Sequence, residues 1–148
     1  MSPPELISDF FRKLDENDRS LLATACMYQL SETMLPIRSG EDGQTWIDQF
    51  LSSAAHQHQQ FGKVIQLLGI LDFELSPFDI SRRQARAQHM IDGPHEGPEQ
   101  NFIIEAGRHM LTVIPRLERL SARWQELRQN ELDQAALWIY RDGIEYKT

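Results

Sequence analysis

The sequence has little cysteine and no long apolar run. Cys26 is the only cysteine among 148 residues, which excludes an intramolecular disulfide, a thiolate zinc site and haem attached through a C-x-x-C-H motif. No apolar run is long enough to span a bilayer, and the first nine residues lack the basic and apolar segments of a signal peptide. We therefore expect a cytoplasmic protein without membrane association, and a lone thiol agrees with a reducing compartment.

Positive charge is also scarce. The chain has 15 Lys and Arg residues against 22 Asp and Glu residues, a formal net charge of −7. Affinity for nucleic acid comes from clustered Lys and Arg, so we expect no nucleic-acid partner. P-loop, G-x-G-x-x-G, G-x-S-x-G and H-E-x-x-H motifs are missing too, and nothing in the sequence identifies a dedicated enzyme.

Helical periodicity dominates what remains. Apolar residues recur in steps of three and four, and no window alternates as a strand would. The length and an apolar content of 41% favour one all-α domain over residues 1–148. Pro115 is expected to kink or divide one helix. The predicted helices lie at about 4–13, 16–35, 44–71, 80–92, 99–128 and 129–146.

The predicted helix at 44–71 carries the most informative face. Its apolar stripe includes Phe50, Phe61 and Ile65, and it is interrupted by a single imidazole, His58. His58 is either a core histidine hydrogen-bonded to a carbonyl or a metal ligand. Glu105 and His109 could also share a metal, but a solvated pair on a helix surface is the simpler interpretation.

Basic side chains cluster in the predicted helix at 80–92. Arg82, Arg83 and Arg86 are interpreted as a solvated face, and the alternative is recognition of a carboxylate or phosphate by a guanidinium fork. His89 lies late in the same helix, where an imidazolium stabilises the helix C-terminus.

A family resemblance adds to this interpretation. His89 followed by Gly93, and then Pro98-Glu99, resembles the proximal histidine region of a globin and the start of its next helix. Gln60-Phe61-Gly62-Lys63-Val64 is similar to the distal segment. Further matches resemble the last two globin helices and comprise Gly107, Met110, Leu111, Ile114, Trp124 and Ala135–Tyr140.

The resemblance implies a globin-like fold of six or seven helices with non-covalent haem b. His89 would be the axial iron ligand. On the distal side the apolar stripe nominates His58, 31 residues earlier, as a second ligand, whereas the motif nominates Gln60, 29 residues earlier. The pocket wall would comprise Phe50, Phe61, Val64 and Ile65, and Arg86 would neutralise a propionate. The implied function is binding of oxygen or nitric oxide for carriage, sensing or detoxification.

Two other functional classes stay open at this point. The first alternative is a haem-free helical regulatory or protein-interaction domain of globin-like shape, with a homodimer or a regulatory protein as its partner. The second is a helical di-metal protein, which would need several Glu-x-x-His motifs. A Soret band in the visible spectrum distinguishes the haem hypothesis from both.

Overall fold

Every regular element in the described part of the chain is a helix, as predicted. The computed structural model describes residues 2–30, 36–53 and 57–132, with the backbone alone at 57 and 58. Over these residues there is no strand. Six α-helices and one π-helical turn follow in order: α1 Pro3–Arg12, α2 Glu16–Leu30, α3 Gly40–Ser52, α4 Gln57–Glu74, α5 Pro77–Asp92, α6 Gln100–Leu127 and the π-helical turn Arg128–Leu132.

The first two helices begin where the sequence predicts. Pro3 and Pro4 occupy the first turn of α1, where a missing N–H costs nothing. Asp15 caps α2, because its Oδ1 accepts a hydrogen bond of 2.8 Å from the Asp18 N–H. Arg19 then returns to α1 and donates three hydrogen bonds to carbonyls at or just beyond its C-terminus, those of Phe11, Arg12 and Leu14.

The predicted single helix at 44–71 is wrong. The structure has two helices here, α3 ending at Ser52 and α4 beginning at Gln57. Two serine hydroxyls compete for the last carbonyls of α3: Ser52 Oγ donates to Asp48 and Ser53 Oγ donates to Phe50. A stripe of apolar residues drawn across this break therefore mixes the faces of two helices.

The later helices also differ from the predicted boundaries. Pro77, expected to lie in a break, starts α5 instead, with Ser76 as its N-cap accepting from the Asp79 N–H. Pro115 does not divide α6, which continues from Gln100 to Leu127. The predicted helix at 129–146 begins inside the π-helical turn, and its residues from 133 onward lie outside the described residues.

The described chain forms two compact units. The first contains the described residues up to Asp72 together with Trp124–Leu132, and the second is Phe73–Arg123. In the first unit α2 packs on α3, and a Cβ added to Gly40 would lie 2.7 Å from the Glu16 Cα. This distance shows that the two backbones approach closely, which only a glycine permits.

Trp124 anchors the end of α6 in the first unit. Its side chain is fully buried, and its ring meets Phe10 edge to face at 5.3 Å between centroids. Its Nε1–H donates to Asp72 Oδ1 at 2.7 Å, while Arg128 donates to the other carboxylate oxygen at 3.0 Å. The indole is thus packed and hydrogen-bonded at the same time.

The second unit joins the last two residues of α4, Phe73 and Glu74, to α5 and most of α6. The buried apolar residues described in it are Leu75, Ile80, Ala87, Ile114, Leu117 and Leu120. The buried Ser121 hydroxyl donates to the Leu75 carbonyl at 2.5 Å, which satisfies a group just beyond the end of α4. Gly107 of α6 lies so near α5 that a Cβ there would be 2.8 Å from the Ala87 carbonyl oxygen.

Candidate functional site

One side of α5 is exposed and combines aromatic and basic side chains. Ile80 and Ala87 are the buried positions of this helix. Phe78, Arg82, Arg86 and His89 follow one another in steps of four, four and three, and all four are exposed. We call these four residues the α5 face.

The arginines of α5 differ in their partners. Arg83 donates to Glu74 at 2.7 Å, and this carboxylate is only 9% exposed, so the pair neutralises itself at the edge of the core. Arg82 places its guanidinium 5.8 Å from the centre of the Phe78 ring. Among the described residues, neither Arg82 nor Arg86 has an ion pair or a side-chain hydrogen bond.

A cavity of about 230 Å³ lies beside this face, and we call it the arginine cavity. It is lined by Phe73, Asp79, Arg82, Arg83 and Arg86. Phe73 is 52% exposed and Phe78, at the start of the α5 face, is 70% exposed. Guanidinium donors and solvent-exposed aromatic rings therefore lie together, an arrangement that can hold an anion attached to an apolar group.

The formal charge of the arginine cavity is small. Three arginines line it, but Glu74 pairs with Arg83 and Asp79 contributes a carboxylate to the lining. One positive charge remains after these two carboxylates are counted. The arginine cavity is therefore suited to a group with a single negative charge.

Phe50, predicted to line a haem pocket, is packed inside the first unit. It is 3% exposed, and its ring stacks on Trp46 with centroids 5.5 Å apart. The Lys63 ammonium lies 4.7 Å from the centre of the same ring. These two contacts occupy the π surface that would otherwise stack on a cofactor.

The distal segment is arranged differently from the predicted wall. Gln60 donates its amide N–H to the Leu51 carbonyl at 3.2 Å. Val64 is fully buried, whereas the adjacent Ile65 is 43% exposed, so the predicted apolar face is out of phase with α4. Phe61 is half-buried. The described members of this predicted wall therefore differ in burial, and their role in haem binding stays a prediction.

The predicted iron ligands are placed as follows. His89 lies in the last turn of α5 in the second unit, with its imidazole beside Gly93, where an added Cβ would be 3.5 Å from Nε2. Arg86, the predicted propionate partner, lies one turn earlier on the same face. The side chain of His58 is outside the described residues. Over the residues whose side chains are described, no three His, Cys, Asp or Glu residues form a metal-binding group.

A second cavity, of about 350 Å³, lies in the first unit, and Gln60 contributes to its lining. Polar side chains in and beside its lining are already hydrogen-bonded or paired with one another. Ser8 Oγ donates to Asp48 at 2.5 Å, Gln44 donates to the same carboxylate at 3.0 Å, and Arg12 pairs with it at 3.6 Å. This mutual pairing makes the second cavity a weaker candidate than the arginine cavity.

Sequence reasoning missed the aromatic half of the site. Arg82, Arg83 and Arg86 were visible as a cluster, but Phe73 and Phe78 lay in the gap between the predicted helices at 44–71 and 80–92. The available signal was Ser76-Pro77-Phe78-Asp79, a capping serine and an N-terminal proline that together start a helix one turn earlier.

Comparisons with known proteins identify no relative of this chain. No family model, curated protein or solved structure matches the chain. Among the helices of the described residues, none is long and apolar enough to cross a membrane.

Proposed function

We propose that this chain is a helical protein-interaction module whose α5 face binds an acidic, amphipathic segment of a partner protein. The observation that carries the proposal is that Arg82 and Arg86 are exposed, have no ion pair among the described residues and line a cavity with the exposed Phe73. Arginine and aromatic residues dominate binding energy at protein interfaces. A partner segment with carboxylates and apolar side chains complements both.

Charge distribution favours a protein segment over nucleic acid. Residues 73–123 contain seven arginines and seven acidic residues, so the second unit has no net positive charge. The whole net charge of −7 belongs to the rest of the chain. A phosphate backbone would meet a locally basic stripe on an acidic molecule, which is unfavourable for long-range attraction.

A second copy of the chain is disfavoured on this face. A two-fold symmetric contact sets the same patch against itself. Arg82 and Arg86 would then face their own equivalents, and like charges brought together cost free energy. This favours a segment of a different protein that carries negative charge as the partner.

Peptide selection tests the proposal. A displayed library of random peptides is selected on the intact chain, and the enriched peptides are compared with those from Arg82→Glu/Arg86→Glu. We expect the wild-type chain to enrich peptides that combine Asp or Glu with aromatic or aliphatic residues. Reversing the two charges should weaken their binding by about 100-fold, since truncating a hydrogen-bonded charge at an interface costs about 2–5 kcal/mol.

The charge-matched control is Arg108→Glu/Arg119→Glu, at two exposed arginines of α6 in the same unit. This variant changes the net charge equally and should retain the selected peptides. Peptides that bind wild type and both variants alike, or enrichment of basic peptides, would refute the proposal.

Haem binding and a globin-like arrangement remain predictions of the resemblance. The resemblance predicts a one-to-one Soret band in a haem titration of the intact chain, whereas the proposed interaction module predicts none. Visible spectra of wild type and His89→Ala decide this point. A one-to-one Soret band that is lost in His89→Ala would restore the haem hypothesis.

A further inference from the structure

We infer that the arginine cavity takes the side-chain carboxylate of an Asp or Glu that is adjacent to an aromatic residue in the partner segment. This inference rests on the proposed function and names the chemical group that the cavity recognises. Its starting point is the composition of the cavity lining: Arg83 is paired with Glu74, and Asp79 lines the cavity together with Arg82 and Arg86.

Geometry provides the donors for one carboxylate. Arg82 and Arg86 are four residues apart on one helix, so their side chains leave the same face about 5–6 Å from each other at Cβ. Each guanidinium carries a planar fork of N–H donors that matches the two oxygens of a carboxylate. An anion held by either arginine is within reach of the other.

Net charge selects a monoanion over a phosphate. One positive charge remains in the cavity after Glu74 and Asp79 are counted with the three arginines. A carboxylate neutralises it. A phosphate monoester carries about −1.5 to −2 charges at pH 7, which would leave excess negative charge beside Asp79.

The aromatic preference comes from the cavity wall. Phe73 lines the cavity and leaves 52% of its surface exposed. The Arg82 guanidinium lies 5.8 Å from the centre of the exposed Phe78 ring, the first residue of the α5 face. A ring next to the bound carboxylate would remove part of this apolar surface from water, which a lone acidic side chain cannot do.

Four N-acetylated dipeptides, three of them also amidated at the C-terminus, test the inference on the intact chain by amide chemical-shift titration. They are acetyl-Glu-Phe-amide, acetyl-Gln-Phe-amide, acetyl-Gln-Phe with a free C-terminal carboxylate, and acetyl-phosphoserine-Phe-amide. We expect the first to shift the amides of α5 and to bind about tenfold more tightly than the neutral second, because hydrogen bonds to an ionised carboxylate are stronger than those to a neutral amide. The third and fourth should bind more weakly than the first.

Substitutions of single side chains test which residues cause the preference for the Glu dipeptide. Arg86→Gln should remove the preference for Glu over Gln, whereas Arg119→Gln, at an exposed position of α6, should preserve it. Asp79→Asn removes the acidic wall and should move the preference toward the phosphoserine dipeptide. This change of preference separates electrostatic selection from a merely structural role of Asp79.

The outcomes are separable from those of the peptide selection. Tighter binding of the phosphoserine dipeptide or of the free carboxylate overturns this inference but leaves an anion-binding interaction module in place. Equal binding of the Glu and Gln dipeptides, or no shift on α5 at the solubility limit, also overturns it. Failure of the peptide selection as well would remove the proposed function itself.

Discussion

Replacing Trp124 by alanine is expected to lower the free energy of unfolding by about 4 kcal/mol. The indole is fully buried and packs against Phe10, so its removal leaves a cavity in the first unit. It also leaves Asp72 without the donor that lies 2.7 Å away. Urea denaturation followed by circular dichroism measures the change.

Two further variants divide this effect into its parts. Trp124→Phe retains most of the buried ring but loses the Nε1–H, and should cost about 1 kcal/mol. Phe102→Ala removes an aromatic of the same helix that is 77% exposed, and should change stability by less than about 0.5 kcal/mol. Equal effects of Trp124→Ala and Phe102→Ala would contradict the buried, hydrogen-bonded placement of Trp124.

The second large effect is expected at Gly40, where Gly40→Ala should destabilise the chain by about 3 kcal/mol. The new Cβ would lie 2.7 Å from the Glu16 Cα and 2.8 Å from the Glu16 carbonyl oxygen. Both are backbone atoms, so no change of rotamer relieves the overlap and α2 must move away from α3. The same denaturation experiment reports the loss.

Gly69→Ala is the matched control for this substitution. Gly69 lies inside α4, and a Cβ there meets nothing within 4 Å. Alanine should therefore stabilise the helix by about 0.5–1 kcal/mol, because it restricts the unfolded chain more than glycine does. Opposite signs at Gly40 and Gly69 are expected, and a stabilising effect at Gly40 would mean that α2 and α3 are not in close contact there.

Local signals predicted the helices well where caps and period agree. Asp15 as an N-cap and two prolines in a first turn each fix a helix start from a few adjacent residues. The break between α3 and α4 was not predicted, because the apolar spacing continues through it. Only the serines at 52 and 53, which bond back to helix carbonyls, indicate the end of α3, and serine is also tolerated within helices.

The candidate site was predictable only in part for a different reason. Three arginines close in sequence are easily seen, but whether each has a partner depends on tertiary contacts such as that of Arg83 with Glu74, nine residues away. The exposure of Phe73 and Phe78 depends equally on how α4 ends and α5 begins. The predicted distal wall assumed a single continuous face from Phe50 to Ile65, whereas these residues belong to two helices, α3 and α4.

The hydrogen bond between Trp124 and Asp72 has a consequence for synthesis on the ribosome. The chain leaves the first unit after Asp72 and returns to it at Trp124, so the second unit is a 51-residue insertion between two residues that touch. At about 5–20 residues per second, translation of this insertion takes about 3–10 s. During this time the residues of the first unit up to Asp72 are already synthesised but lack the tryptophan that packs on Phe10. We therefore expect the first unit to reach its full stability only after the whole insertion has been translated.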